Sequence, residues 1–218
     1  MQDRLTQSPK FRRWKSLLEH NGLNIHGITE IFTRFRHDND PLFSLVMLDA
    51  TTPEGDKIPP ICFLKGEIVS VMLVLIDQDT REKYVLLVKQ RRICSGAFIY
   101  EQVAGMVDGA DKPHEVAVRE VAEETGVEVR PEEVIPLNTE PLYCSTGTSD
   151  EALYFYYCEL ERPHSVIQSY HNQQQGVEGE GERIVTHLAT IPEALQLITN
   201  TNGLLNIYLY QAAMAARG

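Results

Sequence analysis

The sequence predicts an α+β protein, an α/β/α sandwich with a mixed β-sheet between helices and a helix-and-strand extension at its N-terminus. Three observations predict it. Two nearly continuous apolar runs, "EIVSVMLVLI" and "KYVLLVKQ", are separated only by "DQDTRE"; strands that read this way are covered on both faces. A segment of helical spacing, residues 112–125, follows them and precedes another strand, "EALYFYYCEL". Two more helical segments close the chain. Helices placed between and after strands in this order belong on the faces of one sheet.

The elements follow in order. In "SPKFRRWKSLLEHNG", Ser8 caps a helix, Pro9 fits its first turn, Phe11, Trp14, Leu17 and Leu18 share one face, and Gly22 ends it. The segment is basic and amphipathic; a structural helix accounts for it better than a targeting presequence. "ITEIFTRF" and "LFSLVML" are strands flanking the turn-forming "HDNDP", and "DATTPEGDKIPP" is a loop. The two apolar strands come next, then the helix at 112–125, opened by Asp111 and Pro113 and stopped by Gly126. In "EALYFYYCEL" the residues Tyr154 to Tyr157 are expected to alternate between core and surface. "NQQQGVEGEGE" is an acidic loop, "RIVTHLAT" a short strand, and "IPEALQLIT" and "LLNIYLYQAAMAA" are helices, the first capped by Thr190. The expected division is an N-terminal extension over residues 1–60 and a main domain over 61–218.

Composition narrows the function. Apolar residues are 43% and charged residues 23% of 218, a globular balance. A net charge of −11 argues against nucleic acid as a partner. It also means that a polyanionic substrate must be met by local cations or a bound metal. No run is long enough to cross a membrane. Cys62, Cys94, Cys144 and Cys158 form no C-x-x-C pair and read as reduced thiols. The expected location is cytoplasmic, with an organelle open because of the basic N-terminal helix. The seven histidines show no metal spacing, and His114 is expected to be exposed.

The helix at 112–125 carries the chemistry. Glu120, Glu123 and Glu124 fall within five residues, next to Arg119. Glu120 and Glu124 lie one turn apart on one side, and Arg119 and Glu123 form an i, i+4 pair. A charge run on a helix is usually a solvated face. Surface pairs contribute only ~0.2–0.5 kcal/mol, however, and like charges cost as much, so stability does not explain the cluster. Oxygen donors at this density suit a hard divalent cation.

These residues resemble the signature of the Nudix hydrolases, G-x5-E-x7-R-E-U-x-E-E-x-G-U with U apolar. Gly105, Arg119, Glu120, Val121, Glu123, Glu124, Gly126 and Val127 are all in register, and Asp111 stands where the pattern has Glu. At ~7% per residue, six fixed matches arise by chance at about one start position in ten million. The resemblance implies a loop–helix–loop holding Mg²⁺, or Mn²⁺, against a diphosphate. It assigns Glu120 and Glu124 as metal ligands and Glu123 as a further ligand or catalytic helper. It adds the carbonyl of Ala104 as a ligand and gives Arg119 the task of orienting the glutamates.

The surrounding segments are similar to those of ADP-ribose and ADP-sugar pyrophosphatases, and the N-terminal "SPKFRRWKSLLEHNGLNIHGI" with the strand "EIVSVMLVLI" resembles the plant-type ADP-sugar diphosphatases. "EQVAGM" places Glu101 and Gly105 at the substrate, and "VKQRRI" places Arg92, and more loosely Arg91, against its phosphates. "CSTGTSDE" matches a substrate segment through Gly147, Ser149 and Glu151, departing at Thr146. In this branch a loop glutamate before a late strand acts as base. Glu180 and Glu182 are equal candidates and Glu178 a third. The implied activity is Mg²⁺-dependent cleavage of an ADP-sugar, ADP-ribose or ADP-glucose, to AMP and a sugar phosphate, by a homodimer whose residues 25–60 help build the site. The rivals are another nucleotide sugar such as GDP-mannose, or a nucleotide-sugar-sensing domain without chemistry.

Overall fold

The computed structural model describes residues 2–36, 40–109, 111–176 and 183–217. The chain divides into two compact units. One comprises Met1–Ile68, Met106–Asp111 and Pro141–Leu153; the other comprises Val69–Gly105, Lys112–Glu140 and Tyr154–Gly218.

The first unit opens with α1 (Gln2–Gln7) and α2 (Pro9–His20), followed by β1 (Asn24–Phe35), β2 (Pro41–Thr51) and β3 (Ile61–Leu64). Ser8 caps α2 as the sequence predicts, its Oγ accepting from the N–H of Phe11 at 3.3 Å. Phe11 and Trp14 pack on Leu5, Val46, Leu48, Ala50 and Leu64, with Leu18 at the margin. The expected four-residue face is narrower than predicted, because Leu17 is 42% exposed. It sits about 100° round the helix from Leu18 and misses the sheet. The three strands pair antiparallel in the order β1-β2-β3, with Thr29 opposite Met47 and Met47 opposite Ile61. The pleat sends Val46, Leu48 and Ala50 towards α2 and leaves Met47 and Ile61 exposed on the other face.

The larger sheet runs β11-β12-β5-β4-β10-β8, from β4 (Glu67–Asp77), β5 (Lys83–Arg91), β8 (Ile135–Pro136), β10 (Ala152–Arg162), β11 (Gln174–Gln175) and β12 (Ile184–Thr190). Three short strands attach to it: β6 (Phe98–Glu101) to β5, β7 (Val103–Met106) to β4 and β9 (Leu142–Tyr143) to β10. The helices are α3 (Pro113–Thr125), α4 (His164–Ser169), α5 (Ile191–Leu197) and α6 (Thr201–Ala215).

Strands β4 and β5 form an antiparallel hairpin in which Val74 faces Val85. Asp77 holds the turn. Its Oδ1 accepts from the N–H groups of Asp79 at 2.9 Å and Thr80 at 3.1 Å, and its Oδ2 meets His164 Nδ1 at 2.8 Å. Those backbone donors hold its carboxyl below the usual carboxylate range.

Met72, Val74, Ile76, Val85 and Leu87 pack against Ala194, Ile198, Ile207 and Tyr210 of the closing helices and linker. The alternate residues Leu73, Leu75, Leu86 and Val88 are equally buried on the opposite face, where α3 meets β5 and β12. Both faces of β4 and β5 are therefore covered, which is why their sequences carry no polar alternation.

The same cause corrects the reading of β10. Phe155, Tyr156 and Tyr157 are all buried rather than alternating, because β10 lies inside the sheet between β4 and β8. Tyr156 meets His114 of α3 edge-on at 5.9 Å, and Tyr157 meets Tyr210 of α6 at 5.4 Å. Adjacent side chains thus pack on helices of opposite layers. Burial raises the Tyr156 hydroxyl to about 12. His114 is half-buried rather than exposed, its Nε2 lying 3.0 Å from the carbonyl of Val134.

Candidate active site

Helix α3 forms where its caps and periodicity place it. Pro113 occupies the first turn, and Gly126 closes it in the left-handed region at φ 69° with its N–H on the carbonyl of Ala122 at 2.9 Å. The N-cap is Lys112 rather than Asp111, and its side chain makes no cap hydrogen bond. Val116, Ala117 and Val121 are fully buried and fix the helix on the sheet. That stripe determines where the carboxylates beside it point.

Glu124 is only 6% exposed, and its Oε2 accepts the N–H of Ala104 at 3.0 Å. The last turn of α3 is thereby tied to β7. One residue on, Gly105 has no side chain for a steric reason. A Cβ there would lie 2.2 Å from Glu120 Cδ and 2.3 Å from both its Cγ and Oε1. The glycine makes room for Glu120, whose carboxylate is pressed onto the β7 backbone. Arg119 spans two glutamates, with Nη2 3.5 Å from Glu120 Oε1 and Nε 3.9 Å from Glu123 Oε2. Glu120 is mostly enclosed and Glu123 is 40% exposed.

The arrangement brings Glu120, Glu124 and the backbone of Ala104 and Gly105 together, with Arg119 bridging Glu120 and Glu123. Among the described residues no three acidic, histidine or cysteine side chains already converge as a metal cluster. The donors at hand are all oxygens, and the cradle beside Gly105 admits a carboxylate where any other residue would block it. That chemistry fits a hard divalent cation held by Glu120, Glu124 and the Ala104 carbonyl, with Glu123 next in reach along the helix.

A family model, the NUDIX domain, matches residues 66–183, more than half of the chain. The chain belongs to the Nudix family. Nudix hydrolase 14, chloroplastic, of Arabidopsis thaliana is 32% identical over 170 residues, 73% of this chain. The chain spans about half, 53%, of that relative's length. A solved structure of an ADP compounds hydrolase aligns with a TM-score of 0.63 at 15% identity, covering 90% of this chain and 96% of that one. At that identity the likeness is one of fold.

In the same unit as the Nudix helix, Arg92 pairs with Glu101, its Nε 2.6 Å from Oε2. The other oxygen of Glu101 accepts from Asn200 Nδ2 at 3.0 Å. Sequence reasoning missed Asn200. Its signal was available as an N-cap residue, since its Oδ1 accepts the N–H of Gly203 at 2.6 Å and starts α6 three residues earlier than predicted. Arg91 donates to the carbonyl of Gly96 and lies 4.4 Å over the ring of Phe98.

Gly147, Ser149 and Glu151 belong to the other unit. Ser149 Oγ donates to the carbonyl of Phe63 at 2.9 Å, and Glu151 pairs with Lys65 Nζ at 3.0 Å. Gly147 has open space around it. Between them Asp150, not singled out from the sequence, accepts the N–H groups of Lys65 at 2.7 Å and Gly66 at 3.0 Å. Burial raises its carboxyl, against the pull of those hydrogen bonds. This segment fastens the start of β4. Glu178, Glu180 and Glu182 lie outside the described residues.

Proposed function

We propose that this Nudix protein is a Mg²⁺-dependent pyrophosphatase that cleaves an ADP-sugar, ADP-ribose or ADP-glucose, to AMP and a sugar phosphate. The observation that carries the reading is the fit of Glu120 into the space left by Gly105, with Glu124 anchored on Ala104. It supplies enclosed, prepositioned oxygens, and so gives the three glutamates a purpose that helix stability does not. The relative named above, a Nudix hydrolase, supports hydrolysis, and the solved structure of an ADP compounds hydrolase supports an ADP compound as substrate. The segments around Arg92 and residues 145–151, similar to those of ADP-ribose and ADP-sugar pyrophosphatases, support the sugar.

A bound divalent cation would neutralise charge on the phosphoryl oxygens and acidify an attacking water. Residues of this chain do the rest. Glu120 and Glu124 hold their carboxylates at fixed positions on one side of α3. Arg119 restrains Glu120 and Glu123. Glu101 holds Arg92 through Nε, which orients the planar guanidinium for a phosphate. Glu180 or Glu182 takes the proton of the water as its oxygen bonds to phosphorus and the bridging P–O bond breaks. Gly147, Ser149 and Glu151 are assigned to the substrate by the resemblance of their segment. A homodimer is supported by the face of the small sheet that carries Ile31, Phe32, Met47 and Ile61, each between 46% and 56% exposed.

The test is hydrolysis of ADP-ribose, ADP-glucose, GDP-mannose and UDP-glucose, with and without Mg²⁺, for the wild type and Glu124→Gln. AMP formed from an ADP-sugar only with Mg²⁺, and lost in the variant, is the expected result. Turnover of GDP-mannose alone would overturn the substrate, and equal turnover by Glu124→Gln would overturn the site.

A further inference from the structure

Asp108 lies in the loop that joins β7 to the Nudix helix, three residues after Gly105 and five before Pro113. Three groups of its own unit converge on that loop. Lys10 is buried in α2. Its Nζ donates to the carbonyls of Pro41 and Leu42, each at 3.0 Å, and lies 3.4 Å from Asp108 Oδ1. That oxygen is buried and has no hydrogen-bond partner among the described residues, so the contact is one of charge. Arg36 Nη2 is 2.8 Å from Asp108 Oδ2 and 3.6 Å from Met106 Sδ. The N–H of Val107 donates to the carbonyl of Glu67 at 2.9 Å, and the Glu67 carboxylate pairs with Arg13 of α2 at 2.9 Å. Space is kept for Lys10 as well. Gly66 stands where a Cβ would come within 3.0 Å of Lys10 Cε.

A buried ion pair seldom stabilises a fold more than an apolar pair of similar size. It does fix a position, because the charge tolerates few alternative partners. The position fixed here is the middle of the span between the Ala104 carbonyl and the helix that carries Glu120 and Glu124.

We propose that Asp108, clamped by Lys10 and Arg36, is a positioning residue for divalent-cation binding, because it holds the loop through which the chain runs from Ala104 to the helix that carries Glu120 and Glu124. The inference rests on the Nudix metal reading above. Residues that position metal ligands without touching the metal typically change affinity by ~10–100-fold when altered. Asp108→Asn and Arg36→Gln are therefore expected to bind Mn²⁺ about tenfold more weakly, with unchanged circular dichroism. Arg36→Lys should restore most of the loss. Combining Lys10→Met with Asp108→Asn should cost no more than the worse single change, because both break one clamp.

The experiment is a Mn²⁺ titration of the full chain without substrate, followed by the paramagnetic resonance of free Mn²⁺, with Glu124→Gln alongside. Wild-type affinity in Asp108→Asn and Arg36→Gln, with binding lost in Glu124→Gln, overturns the positioning role and leaves the metal site standing. Equal affinity in the wild type and Glu124→Gln overturns the metal site and this inference with it. If Asp108→Asn does not fold, Arg36→Gln decides alone, since that guanidinium is 38% exposed. Wild-type affinity there is the refuting result.

Discussion

Substituting Gly105 by alanine adds one methyl group at the most constrained point of the site. Its Cβ would stand 2.2 Å from Glu120 Cδ, where ordinary contact begins near 3.4 Å. Something must move by more than about 1 Å, an overpacking that typically costs ~1–3 kcal/mol in stability. Helix α3 cannot move easily, because Val116, Ala117 and Val121 hold it in the core. The Glu120 side chain is the part that gives, and it swings off the β7 backbone. A ligand misplaced by ~1 Å costs about 10²-fold in rate, close to 2.7 kcal/mol of transition-state stabilisation. The expected phenotype is a folded protein with a modestly lower melting temperature. It should release AMP from ADP-ribose at about one hundredth of the wild-type rate and need more Mg²⁺. Gly27→Ala is the control, since nothing lies within 4 Å of a Cβ there. Thermal melts separate stability from chemistry, and a metal titration of the rate locates the defect. Wild-type turnover at wild-type Mg²⁺ in Gly105→Ala would refute the reasoning, because Glu120 would then have no need of its observed position.

Three further outcomes follow from the same geometry. Glu101→Gln keeps the shape but removes the charge that holds Arg92. Partial exposure reduces such a contact to ~1 kcal/mol, so KM for the nucleotide sugar should rise about five- to tenfold with kcat nearly unchanged, and steady-state kinetics that show no change in KM would dismiss an orienting role. Trp14→Ala empties the core of the N-terminal unit and should cost ~3–5 kcal/mol, measured by urea denaturation followed with circular dichroism; a loss below about 1 kcal/mol would mean that α2 is not anchored there. Asp77 has a folded pKa below its ordinary 3.8, chiefly through the N–H groups of Thr80 and Asp79. Its contribution is therefore fully present above pH 3.8 and disappears as the pH falls through the folded value. The melting-temperature gap between wild type and Asp77→Asn should be widest near neutral pH and close in acid, and a gap that persists below the folded value would contradict the assignment.

The sequence by itself determined the features that depend on neighbours in the chain. Ser8 and Pro9 start α2, Thr190 and Pro192 start α5, and Gly126 stops α3, because capping is satisfied within a single turn. Helical spacing alone set Glu120 and Glu124 on one side of α3, and unbroken apolar runs announced that β4 and β5 are covered on both faces. Local pattern failed wherever a partner lies far along the chain. Tyr154 to Tyr157 suggested alternation, but β10 is interior to the sheet, and both of its faces are filled by helices that no period within the strand reveals. Asn200 and Glu101 are 99 residues apart, and Asp150 and Lys65 are 85 apart. Nothing in either neighbourhood marks the other as its partner. The clamp of Lys10 and Arg36 on Asp108 is of the same kind. The motif pattern required a glycine at 105; the tertiary structure gave the reason, since only the packing of α3 on β7 brings Glu120 to the place a Cβ would take. Spacing along a helix fixes which way a carboxylate faces, and close packing across the sheet decides what it meets there.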